Sequence, residues 1–194
     1  HEFGHYNNFY WQKTGWNDGS KSLDIAEVHS QGLELLFTHF YKDIFEDEDA
    51  ALTVQDYLML NLSSALITGC LYDELQQYVY AEEDLTLEKI NQEYCRLCKE
   101  YGLIPADDER TELYSWYQVP HTVTSPCYYI SYAVSAAGAF SFWLDAQDDY
   151  FAAVDEYLTF AALDTDVGFQ AGFEMLGMDT PLSPAYLEHL AGTM

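Results

Sequence analysis

The first five residues carry the most chemically specific pattern in this sequence. They read His1-Glu2-Phe3-Gly4-His5, a His-Glu-x-x-His string. On a helix, side chains four residues apart lie on the same face, so both imidazoles can bind one zinc ion. Glu2 would then stand beside the metal-bound water and take its proton as the water attacks a peptide carbonyl. The string alone also fits two ordinary histidines on a helix.

A catalytic zinc site needs a third protein ligand and one open position. A loop over residues 15–20 is followed by a segment with helical spacing that offers Glu27. Two antiparallel helices joined by this loop would bring Glu27 to the histidine pair. Asp24 and Glu34 either orient a ligating histidine by accepting its second ring N–H or are solvated. His29 either faces the cleft or is a structural histidine, and we leave it outside the ligand set.

Further motifs extend the pattern along the chain. Glu27, Ser30 and Glu34 form Glu-x-x-Ser-x-x-x-Glu, and two later stretches, 73–80 and 125–132, read DELQQYVY and SPCYYISY. In this order the motifs resemble the thimet oligopeptidase and oligoendopeptidase F family of zinc peptidases, and are most similar to its bacterial Pz-peptidase branch. Asn8 departs from the many members with a further histidine at that place, although other branches also lack it.

The resemblance implies an all-α fold, the zincin-like catalytic portion of a two-lobed helical oligopeptidase with a deep channel. It implies one zinc ion held by His1, His5 and Glu27, with Glu2 as the general base that acts on a zinc-bound water. Short peptides would be the substrates. We expect residues 1–194 to form the carboxy-terminal part of the catalytic domain, with the amino-terminal part absent, because the metal chemistry begins at the first residue and chain ends usually fray.

The family also uses a histidine and tyrosines on a later segment, and His121, Tyr128 and Tyr132 match that motif. A phenol or imidazole N–H aimed at the developing oxyanion strengthens as charge builds. We expect Tyr128 and Tyr132 to share one helix face, and Tyr129 can replace either partner in this register. The competing interpretation is that these aromatic rings are core packing.

The remaining sequence predicts helices and no strands. Apolar residues recur at intervals of three and four, and Ser125-Pro126 and Ser183-Pro184 each place a capping residue before a proline at the first helical position. The expected helices cover about 1–13, 22–46, 53–81, 86–101, 109–117, 126–147, 149–163, 168–176 and 184–191. One domain is the simplest division.

The net charge of the chain argues against two classes of binding partner. The chain has 33 acidic and 7 basic residues, a formal charge of −26, so nucleic acids and anionic membranes would be repelled. Of the four cysteines, Cys95 and Cys98 form a Cys-x-x-Cys pair, which alone does not complete a zinc site, so reduced, buried thiols are expected. We find no signal peptide or membrane-spanning stretch and expect a cytoplasmic protein.

Two other interpretations remain open at this stage. One is a thermolysin-type zinc peptidase, which shares His-Glu-x-x-His and a downstream glutamate, but the helical pattern and the segment from His121 argue against it. The other is a helical fragment with little activity, which needs an amino-terminal segment or self-association to cover apolar channel surface.

Overall fold

The all-α prediction is confirmed. The structure is a computed structural model that describes residues 1–12, 22–164 and 166–194, and these ranges contain helices and no strands. None of those helices is both long enough and apolar enough to cross a membrane. The α-helices are α1 Glu2–Gln12, α2 Leu23–Phe37, α3 Tyr41–Ile44, α4 Glu48–Ala81, α5 Leu87–Glu100, α6 His121–Thr124, α7 Ile130–Asp148, α8 Tyr150–Ala161, α9 Phe169–Met175 and α10 Pro184–Thr193. Single 3₁₀ turns cover Thr38–Phe40 and Ser115–Gln118. The predicted loop at residues 15–20 lies outside the described residues.

Several helix starts follow the capping signals in the sequence. The side chain of Ser183 accepts a hydrogen bond from the backbone N–H of Tyr186, and Pro184 begins α10 as predicted. Asp149 caps α8 by accepting from two backbone N–H groups, and Thr86 caps α5 by accepting from the N–H of Lys89. Each cap satisfies donors that have no partner within the helix.

The structure contradicts two of the predicted helices, one at its start and the other over its whole length. The helix predicted from Pro126 begins only at Ile130, because Cys127 has a positive φ of 62° that no helix accommodates. The helix predicted over 109–117 is replaced by an irregular segment and the Ser115–Gln118 turn. There the Arg110 carbonyl accepts from Lys99 Nζ at 2.7 Å and from Cys95 Sγ. Side chains of α5 thus donate to a backbone carbonyl that would accept a backbone N–H if this segment were helical.

The described chain divides into two compact units. The first comprises His1–Ser64 and Val134–Met194, and the second comprises Ala65–Ala133. Helices α4 and α7 contribute residues to both. The core of the first unit combines side chains of α2, α7, α8 and α9, namely Ile25, Val28, Leu36, Phe142, Ala153, Tyr157, Phe160, Phe169 and Phe173. Five of these nine residues are aromatic, and their rings contribute large buried apolar areas.

The core of the second unit lies between α4 and α5. It consists of Leu71, Tyr72, Leu75, Tyr94, Leu97 and Cys98. Burial raises the pKa of the Cys98 thiol, which keeps it protonated at neutral pH. Cys95 and Cys98 are buried and unpaired as expected, whereas Cys127 is exposed, contrary to the expectation for the cysteines as a group.

Helix α1 packs closely on α2 and α8 through one stripe of residues four apart. Gly4 is buried, and a Cβ added there would lie 2.6 Å from the Cα of Ser30 and closer still to the His29 carbonyl oxygen. One turn later, Asn8 donates to the carbonyl of Ala161 at 2.9 Å, and Gln12 donates to the carbonyl of Leu163. The absence of a side chain at position 4 therefore sets how near α1 comes to α2.

We predict that Gly4→Ala destabilises the chain by about 1–3 kcal/mol, because the added methyl has no space and the two backbones must separate. Urea unfolding followed by circular dichroism measures this change. The matched control is Gly192→Ala in α10, where nothing lies within 4 Å of an added Cβ. That control should be neutral or slightly stabilising because alanine favours helix. Equal effects in the two variants would contradict the assigned contact.

Candidate metal centre and second aromatic cluster

The contact between α1 and α2 brings three of the predicted site residues together. Glu27 Oε2 lies 3.4 Å from His1 Nε2 and 3.7 Å from His5 Nε2. One ligand atom from each residue lies within 4.8 Å of the others, and this is the group of metal-ligating side chains found in the described residues. The three side chains therefore lie close enough together to face one ion.

The donor set fits zinc. Two imidazole nitrogens and a carboxylate oxygen match the three protein ligands of a catalytic zinc site. In a tetrahedral site with bonds of about 2 Å, ligand atoms stand about 3.3 Å apart, and the distances from Glu27 Oε2 to the two imidazole nitrogens approach this value. The side chains of His1, His5 and Glu27 are 41%, 21% and 20% exposed. A site at this depth leaves room for a water molecule or a substrate oxygen beside the donors.

Two neighbouring groups orient the candidate ligands. The Ser30 hydroxyl lies 2.8 Å from Glu27 Oε2, the same oxygen that faces both imidazoles, and can donate to it. Ser30 is fully buried, which limits its other choices to the Glu27 backbone carbonyl at 3.1 Å. His1 Nδ1 lies 3.3 Å from Glu34 Oε2. This contact can fix the imidazole tautomer that presents Nε2 to a metal, the role considered for Glu34 from the sequence.

Burial affects the charge of the groups around these donors. Partial burial raises the pKa of Glu34. Burial lowers the pKa of His29 to about 3, with a smaller contribution from the charge of His5. His29 is therefore neutral at physiological pH.

The open question about His29 is answered by its surroundings. It is 1% exposed and its ring lies against Phe160, with centroids 5.8 Å apart. Its backbone carbonyl accepts from the Tyr157 hydroxyl at 2.7 Å. His29 is thus a core residue that ties α2 to α8. The backbone carbonyl of Asp24 accepts from Ser135 Oγ at 2.8 Å, so the contact observed for Asp24 is a main-chain contact with α7.

Glu2 begins α1 between the two histidines in sequence and is exposed. Its carboxylate is therefore open to solvent. Asn8, noted in the sequence as a departure from relatives with histidine, is buried and holds α1 to α8. Its position is structural in this chain.

His121, Tyr128 and Tyr132 form a second cluster, which lies in the second unit. The His121 ring stacks on Tyr128 with centroids 5.2 Å apart and planes 11° apart. The Tyr132 hydroxyl donates to the Tyr128 hydroxyl at 3.4 Å. His121 Nδ1 is buried and has no hydrogen-bond partner among the described residues. An imidazole and two phenols thus meet at one place.

The predicted geometry of the tyrosines is wrong in one respect. Tyr128 does not share a helix face with Tyr132, because it precedes the first residue of α7. The turn at Cys127 brings the two rings together instead, with centroids 5.4 Å apart. Tyr129, the alternative considered for either role, packs its ring against buried Tyr72, with centroids 5.1 Å apart. Tyr129 is therefore partly committed to the core of this unit.

Sequence reasoning missed three contributors to these clusters. Gly4 was read only as part of a motif, whereas its missing side chain allows the helices to meet. The anchoring role of Asn8 and the part that Gln76 plays at Cys127 were also missed. A glycine between two candidate ligands on a helix is itself a signal, because glycine in a helix interior is unfavourable unless a close contact needs it.

Within the described residues, the helical fold and the donor arrangement define a candidate metal centre on a helix pair. Among solved structures, it is similar to a candidate oligoendopeptidase F over 100% of its length, at 26% identity and a TM-score of 0.80. Pz peptidase A, solved with an inhibitor, matches 98% of the chain at 23% identity and a TM-score of 0.78. A candidate oligoendopeptidase F from Bacillus anthracis strain Ames matches 98% at 22% identity and a TM-score of 0.72.

These similarities confirm the resemblance to the oligoendopeptidase F and Pz-peptidase group that the motifs indicated. The chain spans 35%, 34% and 31% of the length of those three structures. No protein-family model and no curated protein matches the sequence.

We predict that Ser30→Ala lowers zinc affinity about 10- to 100-fold, because the Glu27 oxygen loses the donor that orients it. Competition with a chromogenic chelator measures the affinity. Ser63→Ala is the matched control, since Ser63 also donates to a backbone carbonyl, that of Met59 at 2.7 Å, but on α4. His5→Ala should reduce binding further. Unchanged affinity in Ser30→Ala would show that its hydroxyl does not support the ligand.

Proposed function

We propose that this chain is the catalytic portion of a zinc endopeptidase that hydrolyses short peptides. The observation that carries the proposal is the convergence of His1, His5 and Glu27 on one point. It gains weight because the chain is similar throughout to solved structures named as peptidases. The fold alone would not specify an activity, since function resides in the site.

In this proposal His1, His5 and Glu27 hold the metal, Ser30 orients Glu27, and Glu34 orients His1. Bound zinc supplies a Lewis acid that polarises the peptide carbonyl and lowers the pKa of water. The two imidazoles must be neutral to bind it, which ties metal affinity to pH.

Glu2 is the proposed general base. Its carboxylate accepts a proton from the attacking water as the bond from the water oxygen to the peptide carbon forms. The same proton then passes to the departing nitrogen as the carbon–nitrogen bond breaks, so Glu2 returns to its starting charge. The placement of Glu2 at the first turn of α1, between two ligand positions, motivates this role.

His121, Tyr128 and Tyr132 are the proposed donors to the oxyanion that develops on the substrate carbonyl. Tyr128 accepts in the weak 3.4 Å contact between the hydroxyls and can donate its own O–H, whereas Tyr132 can donate once it releases that contact. A donor of this kind contributes most when its bond forms mainly in the transition state. The stacked His121 ring limits the orientations open to Tyr128.

The net charge of the chain is more compatible with short peptides as partners than with nucleic acids or anionic lipids. With a formal charge of −26, the surface repels phosphate backbones and anionic lipids at long range. We therefore propose no role in nucleic-acid or membrane binding. Short peptides can carry neutral or positive charge and escape this repulsion.

A second candidate function is favoured by the outer face of α1. Phe3, Tyr6, Tyr10 and Trp11 are each at least 50% exposed and form a continuous series of ring contacts. An apolar face of this kind indicates a surface that packs on further polypeptide. We propose that its occupant is the remaining part of a longer peptidase chain, and that the isolated chain has weak activity until that part is supplied.

Sedimentation and peptide hydrolysis, measured with and without such an amino-terminal segment supplied separately, test this second proposal. Binding of the segment with a gain in turnover would support it. Tyr6→Ser should weaken the complex relative to Tyr57→Ser, an exposed tyrosine on α4. Concentration-dependent dimers without the segment would instead identify a second copy as the occupant.

We predict that Glu2→Gln retains zinc but lowers kcat at least about a hundredfold, because an amide cannot accept the proton of water. Zinc content is measured alongside hydrolysis of a short quenched-fluorescence peptide. Glu188→Gln, an exposed glutamate on α10, is the control and should leave kcat unchanged. Near-normal hydrolysis by Glu2→Gln at full zinc content would exclude Glu2 as the base.

We also predict that Tyr→Phe at position 128 or 132 lowers kcat by about a hundredfold with little change in KM, because the lost bond forms mainly in the transition state. Steady-state kinetics of the two single variants and the pair measure this effect. Tyr117→Phe, an exposed tyrosine nearby in sequence, is the control. A loss of thermal stability without a kcat effect would assign both rings to packing.

A further inference from the structure

The backbone immediately before the aromatic cluster is held in an unfavourable conformation. Cys127 is the one non-glycine residue in the described ranges with a positive φ, at 62°. Side chains rarely adopt this left-handed region because the Cβ approaches the backbone too closely. Such a residue persists only where its surroundings determine its conformation. Some contact must therefore hold Cys127 in place.

The contact comes from Gln76 on α4. Its side-chain carbonyl, Oε1, accepts a hydrogen bond from the Cys127 backbone N–H at 2.8 Å. Gln76 is only 4% exposed, and its Nε2 has no partner among the described residues. Reversing the amide would place two donors against each other, so the oxygen must face Cys127.

The conformation of Cys127 determines where the next residue lies. Tyr128 follows it directly, stacks on His121 and accepts from the Tyr132 hydroxyl. Tyr132 lies in the first turn of α7, which begins only after this turn. A change at Cys127 to the ordinary negative φ would redirect the chain at Tyr128. The stacking on His121 and the contact with Tyr132 depend on that direction.

We propose that Gln76 is a positioning residue for the cluster of His121, Tyr128 and Tyr132. It acts through Cys127 by stabilising the turn that brings Tyr128 to the other two side chains. The effect on catalysis rests on the function proposed for that cluster, whereas the effect on its geometry does not. The alternative is that Gln76 only fills space beside buried Leu75.

The test uses the whole chain and compares Gln76→Met with Gln76→Glu. Methionine has nearly the same volume but no carbonyl, whereas glutamate keeps an oxygen that can accept the Cys127 N–H. Gln77→Met is the matched control, because Gln77 is the next residue on α4 and bonds Asp73 at the surface. Amide hydrogen exchange at Cys127 and the ring-current shifts of Tyr128 and Tyr132 are measured by NMR.

We expect Gln76→Met to speed exchange at Cys127 by about tenfold, the effect of losing one hydrogen bond of ordinary strength, and to shift both tyrosine signals. Gln76→Glu and Gln77→Met should leave both readouts near those of the parent. Adding Cys127→Gly to Gln76→Met should restore the tyrosine signals, because glycine adopts positive φ without steric cost. Exchange should stay fast in that double variant, since the N–H still lacks its acceptor.

A role in packing alone predicts a different pattern, in which glycine at position 127 restores nothing. Unchanged exchange in Gln76→Met, equal changes in Gln77→Met, or failure of the glycine to restore the tyrosine signals would overturn the proposal. If Gln76→Met does not fold, Gln76→Asn replaces it, with Gln77→Asn as its control, because the shorter side chain cannot reach Cys127.

Peptide hydrolysis gives a separate readout. Gln76→Met should lower kcat by about tenfold with KM nearly unchanged, and the double variant with glycine should recover it. If the parent chain hydrolyses no peptide at full zinc content, the proposed function fails, and the exchange and NMR results still decide the positioning role. Normal kcat in Gln76→Met, with the tyrosine signals displaced, would show that this positioning does not serve catalysis.

Discussion

The close approach of α1 to α2 at Gly4 is the constraint on which the candidate metal centre depends. Residue 4 lies against the backbone of His29 and Ser30 with no space for a methyl group. At this separation the short side chains of His1, His5 and Glu27 can reach one ion, since metal–ligand bonds are about 2 Å long. A wider spacing would leave either the imidazoles or the carboxylate of Glu27 out of reach. The helix pair and the donor set are therefore a single structural feature.

Core side chains of α7 and α8 support the contact between α1 and α2. Tyr157 donates to the backbone carbonyl of His29, and the Phe142 ring contacts the rings of both Tyr157 and Phe160. In the second unit, the cluster of His121, Tyr128 and Tyr132 depends instead on the turn at Cys127, which the buried side-chain amide of Gln76 stabilises. Here polar side chains from helices satisfy backbone groups of an irregular segment, which buried polar groups require.

The sequence allowed the local features of both clusters to be predicted, and long-range contacts determined the rest. Spacing within a helix was enough to predict that His1 and His5 share one face, and the resemblance of the later Glu-x-x-Ser-x-x-x-Glu motif made Glu27 the candidate third ligand. The predicted start at Pro126 was wrong because Gln76, 51 residues earlier, bonds the N–H of Cys127. The helix predicted over 109–117 was wrong for the same kind of reason, since side chains of α5 bind the carbonyl of Arg110. Capping and periodicity describe neighbours in sequence and contain no information about such partners.

The stripe of Gly4, Asn8 and Gln12 holds α1 along its length, so a small tilt of the helix about one end would displace the residues at the other end. The helix has 11 residues, so at 1.5 Å per residue its two ends stand about 16 Å apart. A tilt of about 5° about the Gln12 end would displace the His1 end by about 1.4 Å, several times the tolerance of about 0.2 Å for metal–ligand distances. The alignment of the candidate ligands therefore depends on contacts along the whole of α1, including the hydrogen bond from Gln12 to the Leu163 carbonyl at the far end of the helix.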